Sequence, residues 1–351
     1  MSAGSVGAVA VIFRAREVKR VLSSIFVVLL AIAVSNAAAE TTNDGCAREK
    51  IEKIEKPLPW LAGEGGDQKP IWPEGLALNS PELDGHSEMT GNGSPLVAGR
   101  AWNWATYVTR PTMTIYRLRG TNTGAALVVL PGGGYAAVAM DLEGTEICDW
   151  ITKEGVTCVI LKYRVPQVWR RNKKSVDQRP ERLLALEDAQ RAMGLLRLRA
   201  ADYGIDPEKI GVIGFSAGGH LAAELSNATA RAYERVDAAD DMPSIPDFAI
   251  LAYPGRIWDK SSPKTSLALN PWIKISADVP PTLLIHAMND QVDDIRHSVA
   301  YGLALNDAGV PVDMRFFDKG CHAFGLRPTS DPITTEWPGM AVQWLRDIGI
   351  L

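Results

Sequence analysis

The stretch Ile210-Gly211-Val212-Ile213-Gly214-Phe215-Ser216-Ala217-Gly218-Gly219-His220 decides how this chain is read. Ile210–Phe215 is a short apolar run of the kind that forms a buried strand, and residues 217–226 carry helical spacing directly after it. Between them lies a G-x-S-x-G. Alone, that pattern is common by chance. Set between a predicted strand and a predicted helix, it marks a sharp turn that lifts a serine hydroxyl above a sheet. Side chains at positions 214 and 218 would collide with the neighbouring strand and helix. The helix N-terminus beneath Ser216 also favours negative charge developing there. A glycine-rich turn with an incidental serine is the competing reading, and the strand-to-helix context disfavours it.

The pattern extends on both sides. Residues 112–118, 125–130, 156–163, 248–253, 282–286 and 312–317 read as further strands. Residues 143–154, 181–203, 295–308 and 334–348 read as helices. The long one at 181–203 carries Leu186, Ala189, Met193, Leu196 and Ala200 on one face and stops at Gly204. Apolar strands alternating with helices predict the α/β class, with a mostly parallel central sheet covered on both faces. Residues 40–110 are rich in Gly, Pro, Asn and Trp with little periodicity. They are expected to be an extended N-terminal segment laid over a catalytic domain at 111–351.

Composition narrows the function classes. The 351 residues are 46% hydrophobic and 22% charged, with 37 Lys+Arg against 41 Asp+Glu, a formal net charge of −4. That suits a globular chain, and the lack of a basic excess argues against nucleic acid as a partner. Lys19 and Arg20 precede an apolar run through Ile25-Phe26-Val27-Val28-Leu29-Leu30 to Val34, then Ala37-Ala38-Ala39. A basic flank, a short apolar stretch and small residues predict a signal peptide at 1–39 and a secreted or periplasmic protein. The run is short for a bilayer span, so no stable membrane anchor is expected. Cys46, Cys148, Cys158 and Cys321 show no paired spacing, and Cys148 and Cys158 are expected to be buried thiols. Cys46 lacks the leucine of a lipoprotein cleavage box. No ligand set for a metal or other cofactor is evident, so none is expected.

A serine needs a base to act as a nucleophile. Five histidines are available. His86 lies in the irregular N-terminal region, and His220 points down the helix that starts after Ser216. His286 and His297 are read as structural. His322, in Lys319-Gly320-Cys321-His322-Ala323-Phe324-Gly325, sits on a glycine-flanked loop after the last predicted strand and is the expected base. The orienting acid should follow a late strand between them. Asp290 is closest to the strand end at 282–286, while Asp293 and Asp294 are read as caps for the helix near Ile295. The tetrahedral intermediate also needs an oxyanion site. Pro131-Gly132-Gly133-Gly134-Tyr135 follows the strand at 125–130 and can offer unobstructed backbone N–H groups, with Ala217 N–H as their partner.

With these motifs in place, the chain resembles the bacterial acetyl esterase and lipase group of the α/β-hydrolases, particularly its secreted, acetylxylan-esterase-like members. The likeness runs from Ile71-Trp72-Pro73 through Pro131–Tyr135, Glu143-Gly144, Lys162-Tyr163-Arg164 and Gly214–His220 to Gly320–Gly325. It implies Ser216, Asp290 and His322 as the triad. Matching the group's His-Gly-Gly-Gly motif puts oxyanion donors at Gly132 and Gly133, although Pro131 stands in place of that histidine and leaves all three glycines in play. The implied substrate is a small-molecule or carbohydrate ester. A serine peptidase or lipase-like enzyme of the same fold is the alternative, although this length would not hold the β-propeller of the oligopeptidase types. A binding module without activity is a third reading. The segments 166–180 and 255–280 are expected to border the site, and Tyr135 to wall it. The basic cluster Arg170-Arg171-Asn172-Lys173-Lys174 reads as a solvated loop.

Overall fold

The computed structural model describes Cys46 and residues 49–74, 76, 87–166, 181–328 and 331–351. The stretch 1–39 expected to be a signal peptide, His86 and the basic cluster at 170–174 lie outside the described residues. The chain divides into two compact units, Met1–Ala47 and Arg48–Leu351, and the second carries everything that follows.

Its centre is an eight-stranded sheet. In chain order the strands are β1 (Glu55–Lys56), β2 (Gly66–Pro70), β3 (Met89–Val97), β4 (Arg100–Thr106), β5 (Thr112–Tyr116), β6 (Ala126–Leu130), β7 (Val138–Ala139), β8 (Thr157–Lys162), β9 (Ile210–Phe215), β10 (Ala249–Ala252), β11 (Thr282–Ala287) and β12 (Val312–Phe317). The large sheet runs β12-β11-β10-β9-β6-β8-β5-β2. Pairing is parallel from β12 to β8 and antiparallel for β8–β5 and β5–β2. Every residue of β6, β8, β9, β10 and β11 is buried, which is why these strands are near-continuous apolar runs instead of alternating, with polar residues confined to the ends of β8 and β11. The helices are α1 (Glu146–Ile151), α2 (Glu181–Leu198), α3 (Ala217–Ser226), α4 (Arg296–Asp307) and α5 (Ile333–Asp347). The predicted helix at 181–203 breaks at Arg199, and a short turn Ala200–Tyr203 follows before Gly204 ends it in the left-handed region. Among the described residues no helix is long and apolar enough to cross a membrane.

Two expectations are corrected here. Residues 40–110 are not simply extended: β3 and β4 form an antiparallel hairpin in a second sheet of order β1-β3-β4-β7, while β2 joins the edge of the large sheet. Trp102 lies over Gly93 on the paired strand, where any Cβ would run into the indole ring. Cys148 and Cys158 are not thiols. They form a disulfide between α1 and β8, with Cα atoms 5.3 Å apart, and no described cysteine is free.

A buried ion-pair cluster ties this unit together. Arg164, fully buried just after β8, donates through Nε to Asp188 at 2.9 Å and through Nη2 to Glu187 at 2.8 Å on α2. Trp72 of the N-terminal region donates to the same Asp188 at 2.8 Å. One carboxylate thus fastens strand, helix and N-terminal segment together.

Candidate active site

Because β6 and β9 to β12 are parallel, the loops leaving their C-terminal ends gather along one edge of the sheet, the usual place for a ligand in an open α/β sheet. Each candidate residue sits on such a loop. Ser216 directly follows β9 with φ 51° and ψ −115°, a conformation a non-glycine residue holds only under strain. The turn is tight enough that a Cβ on Gly214 would strike the Gly218 carbonyl, and one on Gly218 would strike that of Leu130.

His322 and Asp290 converge on it. His322 Nε2 is 3.0 Å from Ser216 Oγ, and His322 Nδ1 is 2.7 Å from Asp290 Oδ2. With Nδ1–H donating to the carboxylate, Nε2 is left to accept the serine proton. Asp290 is anchored in turn: its Oδ1 accepts the N–H groups of Val292 at 2.8 Å and Asp293 at 2.9 Å, and its Oδ2 lies 3.3 Å from His286 Nε2. The two loops are tied by Cys321 N–H donating to Asn289 Oδ1 at 2.9 Å. His322 is held between Cys321 and Ala323, both in the left-handed region.

The electrostatics follow from these contacts. Burial alone would raise Asp290, but the hydrogen bonds from His286 and His322 and their charges bring its pKa far below the usual carboxylate value. Burial would lower His322, yet the hydrogen bond and charge of Asp290, with further negative charge from Asp293 and Glu143, raise it above the ordinary imidazole value.

The other histidines are placed differently. His220 is fully buried, with Nδ1 2.7 Å from the Tyr135 hydroxyl and Nε2 accepting the Trp272 indole N–H at 3.1 Å. Burial, with the charges of Arg256 and Arg182, holds its pKa down to about 3. His297 Nδ1 accepts the N–H groups of Ile257 and Trp258. Tyr135, expected in the pocket wall, is instead fully buried against His220.

The glycine loop departs from expectation at one residue. Gly132 N–H donates to Glu143 Oε2 at 2.7 Å and so is already engaged. A Cβ there would lie 2.8 Å from Phe215 O and 3.0 Å from Ser216 Cβ, so glycine is needed at 132 for close approach to the elbow, not as a donor. Gly133, Gly134 and Ala217 line the cavity with Ser216. Ala217 N–H opens α3 and has no intrahelical acceptor. Of the three expected donors, Gly132, Gly133 and Ala217, the last two line the cavity beside the serine.

Three participants were not read from the sequence. Glu143, expected to begin a helix, sits in a π-helical turn (Asp141–Thr145) with non-helical backbone; besides Gly132 it accepts the Tyr253 hydroxyl at 2.8 Å. Burial raises its pKa against the opposing hydrogen bonds of Tyr253 and Gly132. Asp293 is not a helix cap; its Oδ2 lies 3.3 Å from Ser216 Oγ. Trp102, with Pro95 and Val97 of the same hairpin, lines the cavity of about 410 Å³ that opens on Ser216 and His322. Of the two segments expected to border the site, Gly255 and Arg256 do line it, and 167–180 lies outside the described residues. Among the described residues no group of three or more His, Cys, Asp or Glu is arranged to hold a metal ion.

Comparison with known proteins adds to this geometry. The crystal structure of an acetyl ester-xyloside bifunctional hydrolase from Caldicellulosiruptor lactoaceticus matches with a TM-score of 0.61 at 24% identity, covering 81% of this chain and 97% of that one. This chain has the α/β-hydrolase fold. Two family models match parts of this α/β-hydrolase, BD-FAE over residues 113–244 and the prolyl oligopeptidase family over residues 187–335. An acetylxylan esterase of Xylanibacter ruminicola is 27% identical over 223 residues, 58% of this chain and 42% of that protein. Endo-1,4-beta-xylanase B of Butyrivibrio fibrisolvens is 27% identical over 227 residues, 61% of this chain and 34% of that protein. The chain thus spans less than half the length of either relative. Its likeness to the acetyl esterase group of α/β-hydrolases, drawn above from motifs, extends to both proteins.

Proposed function

We propose that this α/β-hydrolase is an exported serine carboxylic-ester hydrolase that removes short acyl groups, acetyl foremost, from hydroxylated substrates such as plant carbohydrate. The observation that carries the reading is the unbroken relay from Ser216 Oγ through His322 to Asp290 at the mouth of a cavity that also holds Gly133 and Ala217. In this mechanism Ser216 attacks the acyl carbonyl while His322 Nε2 takes its proton. The oxyanion is held by the N–H groups of Gly133 and Ala217. His322 then protonates the leaving alcohol, and water repeats the sequence to free the acid. Asp290 keeps the imidazole oriented and offsets its positive charge. The names of the relatives, an acetylxylan esterase and a xylanase, support the acyl and carbohydrate parts of the proposal.

Export is supported by the basic, apolar and alanine-rich order of residues 19–39 and by the Cys148–Cys158 disulfide, a bond that persists in oxidising compartments. The prolyl oligopeptidase match favours a peptidase as the second reading. A fluorophosphonate probe followed by peptide mapping should label Ser216, and acetate should be released from acetylated xylan but no amine from peptide amides. Labelling elsewhere, or cleavage of peptides alone, would reject the esterase reading.

A further inference from the structure

Asp293 holds a carboxylate where ester hydrolysis does not require one. Its Oδ2 lies 3.3 Å from Ser216 Oγ and 3.9 Å from His322 Nε2, and its side chain is only 14% exposed. Among the described residues, the Ser216 hydroxyl is the one hydrogen-bond donor within reach of this carboxylate, and its single proton is shared with the shorter contact to His322 Nε2. That donor is consumed by the reaction. When Ser216 attacks, its proton passes to His322 and then to the leaving alcohol, and Oγ becomes an ester oxygen that cannot donate. The mostly buried Asp293 carboxylate would then face another oxygen without a partner, an arrangement that is costly at low exposure.

The space beside it is where a replacement donor would arrive. The leaving oxygen must approach His322 Nε2 to be protonated, and Asp293 Oδ2 stands on that side of the serine. A hydroxyl on the carbon next to the ester-bearing carbon would come within reach of Asp293 from there. Simple alkyl and aryl esters bring no such donor. The cavity also has apolar lining, from Val97, Trp102, Ala139 and Leu142, that suits the acyl group. We infer that Asp293 is a specificity residue that receives the free hydroxyl of a monoacylated vicinal diol, so that the enzyme's substrates are partly acylated polyols. This rests on the esterase reading and narrows it.

The test compares paired substrates. One pair is methyl 3-O-acetyl-β-xyloside and its 2,4-dideoxy analogue; the other is 2-hydroxypropyl acetate and propyl acetate. In the wild-type enzyme kcat/KM should favour the hydroxyl-bearing member by roughly tenfold or more, the scale of a hydrogen bond to a charged group. Preference in both pairs would mean vicinal diols in general, and preference in the sugar pair alone would mean carbohydrate. In Asp293→Ala the ratio should collapse to within about threefold, while Asp293→Asn, whose amide oxygen still accepts, should retain part of it. Equal wild-type rates within both pairs would overturn the inference without any variant having to fold. So would a loss in Asp293→Ala that is the same for both members, since that would mark a residue that only supports His322. Failure to hydrolyse any of the four esters would instead overturn the esterase reading itself.

Discussion

Glu143 accepts the backbone N–H of Gly132 at 2.7 Å, and this one contact links the two halves of the site. Its other oxygen accepts the Tyr253 hydroxyl, and the Tyr253 ring meets the His322 imidazole edge-on with centroids 5.0 Å apart. A single buried carboxylate therefore braces the glycine loop on one side and the base-bearing loop, through an aromatic ring, on the other.

Replacing Glu143 by Leu would remove the acceptor of both the Gly132 N–H and the Tyr253 hydroxyl and free the glycine loop to shift. The expected loss in kcat/KM is roughly 100-fold or more, comparable to losing an oxyanion donor. Glu143→Gln should fare much better, because its amide oxygen can accept from Gly132 while its NH2 donates to Tyr253. Steady-state kinetics with circular dichroism as the folding control would check this. Equal damage from both variants would show that charge, not bracing, matters.

Ser216→Ala and His322→Ala should each abolish nearly all esterase activity with the fold intact, and the double variant should be no worse, because the residues act as one unit. Asp290→Asn should lose about four orders of magnitude by favouring the wrong imidazole tautomer. If Asp293→Asn proved more damaging than Asp290→Asn on all substrates, the orienting role would belong to Asp293.

The pH profile follows from the charges around His322. Its neutral form is the base, and Asp290, Asp293 and Glu143 together raise its pKa above the ordinary imidazole value. Activity should therefore fall as pH drops through that raised value, placing the acid limb of kcat/KM higher than for an unpaired histidine. Removing a nearby negative charge, as in Asp293→Asn, should move the limb to lower pH. A limb that stays put or moves upward in that variant would contradict this account.

What the sequence made legible was local. The elbow at Ser216 and the loop at His322 are short-range patterns, in which a strand, glycines and a helix dictate geometry within a few residues. The parallel strands were legible for the same reason, since full burial leaves continuous apolar runs such as Ala126–Leu130. The misreadings involve partners chosen by tertiary packing. Asp293 has the spacing of a helix cap, but its side chain contacts a serine 77 positions earlier. Gly132 resembled a donor because its N–H is unencumbered in sequence, and only the fold brings Glu143 onto it. Cys148 and Cys158 form no recognised motif, and their pairing depends on α1 packing against β8. The β3–β4 hairpin was obscured because Gly91, Gly93 and Pro95 interrupt the alternation by which a strand is recognised.

That disulfide should contribute measurably to stability. It closes a short loop between residues ten apart, for which chain entropy gives about 2–3 kcal/mol. The double variant Cys148→Ala/Cys158→Ala should lower the unfolding free energy by about this amount in denaturant titration while leaving kcat near wild type, since neither residue lines the cavity. A variant as stable as wild type would mean that strain in the native bond cancels the entropic gain.

The last expectation concerns acyl length, and Trp102 is its hinge. The Trp102 ring lines the cavity of about 410 Å³ at Ser216 and also a neighbouring one of about 320 Å³ bounded by Lys53, Glu55 and Trp104. Its indole N–H donates to Pro95 O at 3.2 Å, and its face packs on Gly93, so the ring is fixed as a partition between the two spaces. An acyl chain running along Leu142 and Val97 should meet this partition after a few carbons. In the wild type kcat/KM should therefore be highest for acetyl esters and fall beyond butyryl. Trp102→Ala would join the cavities and admit longer chains. Each further methylene buried there contributes about 0.8 kcal/mol, roughly fourfold in kcat/KM, so the optimum should move toward hexanoate or octanoate. A p-nitrophenyl ester series from acetate to octanoate on both proteins tests the argument. A wild-type rate that climbs steadily to octanoate would reject the short-acyl assignment, and an unchanged profile in Trp102→Ala would show that the acyl chain lies elsewhere in the cavity.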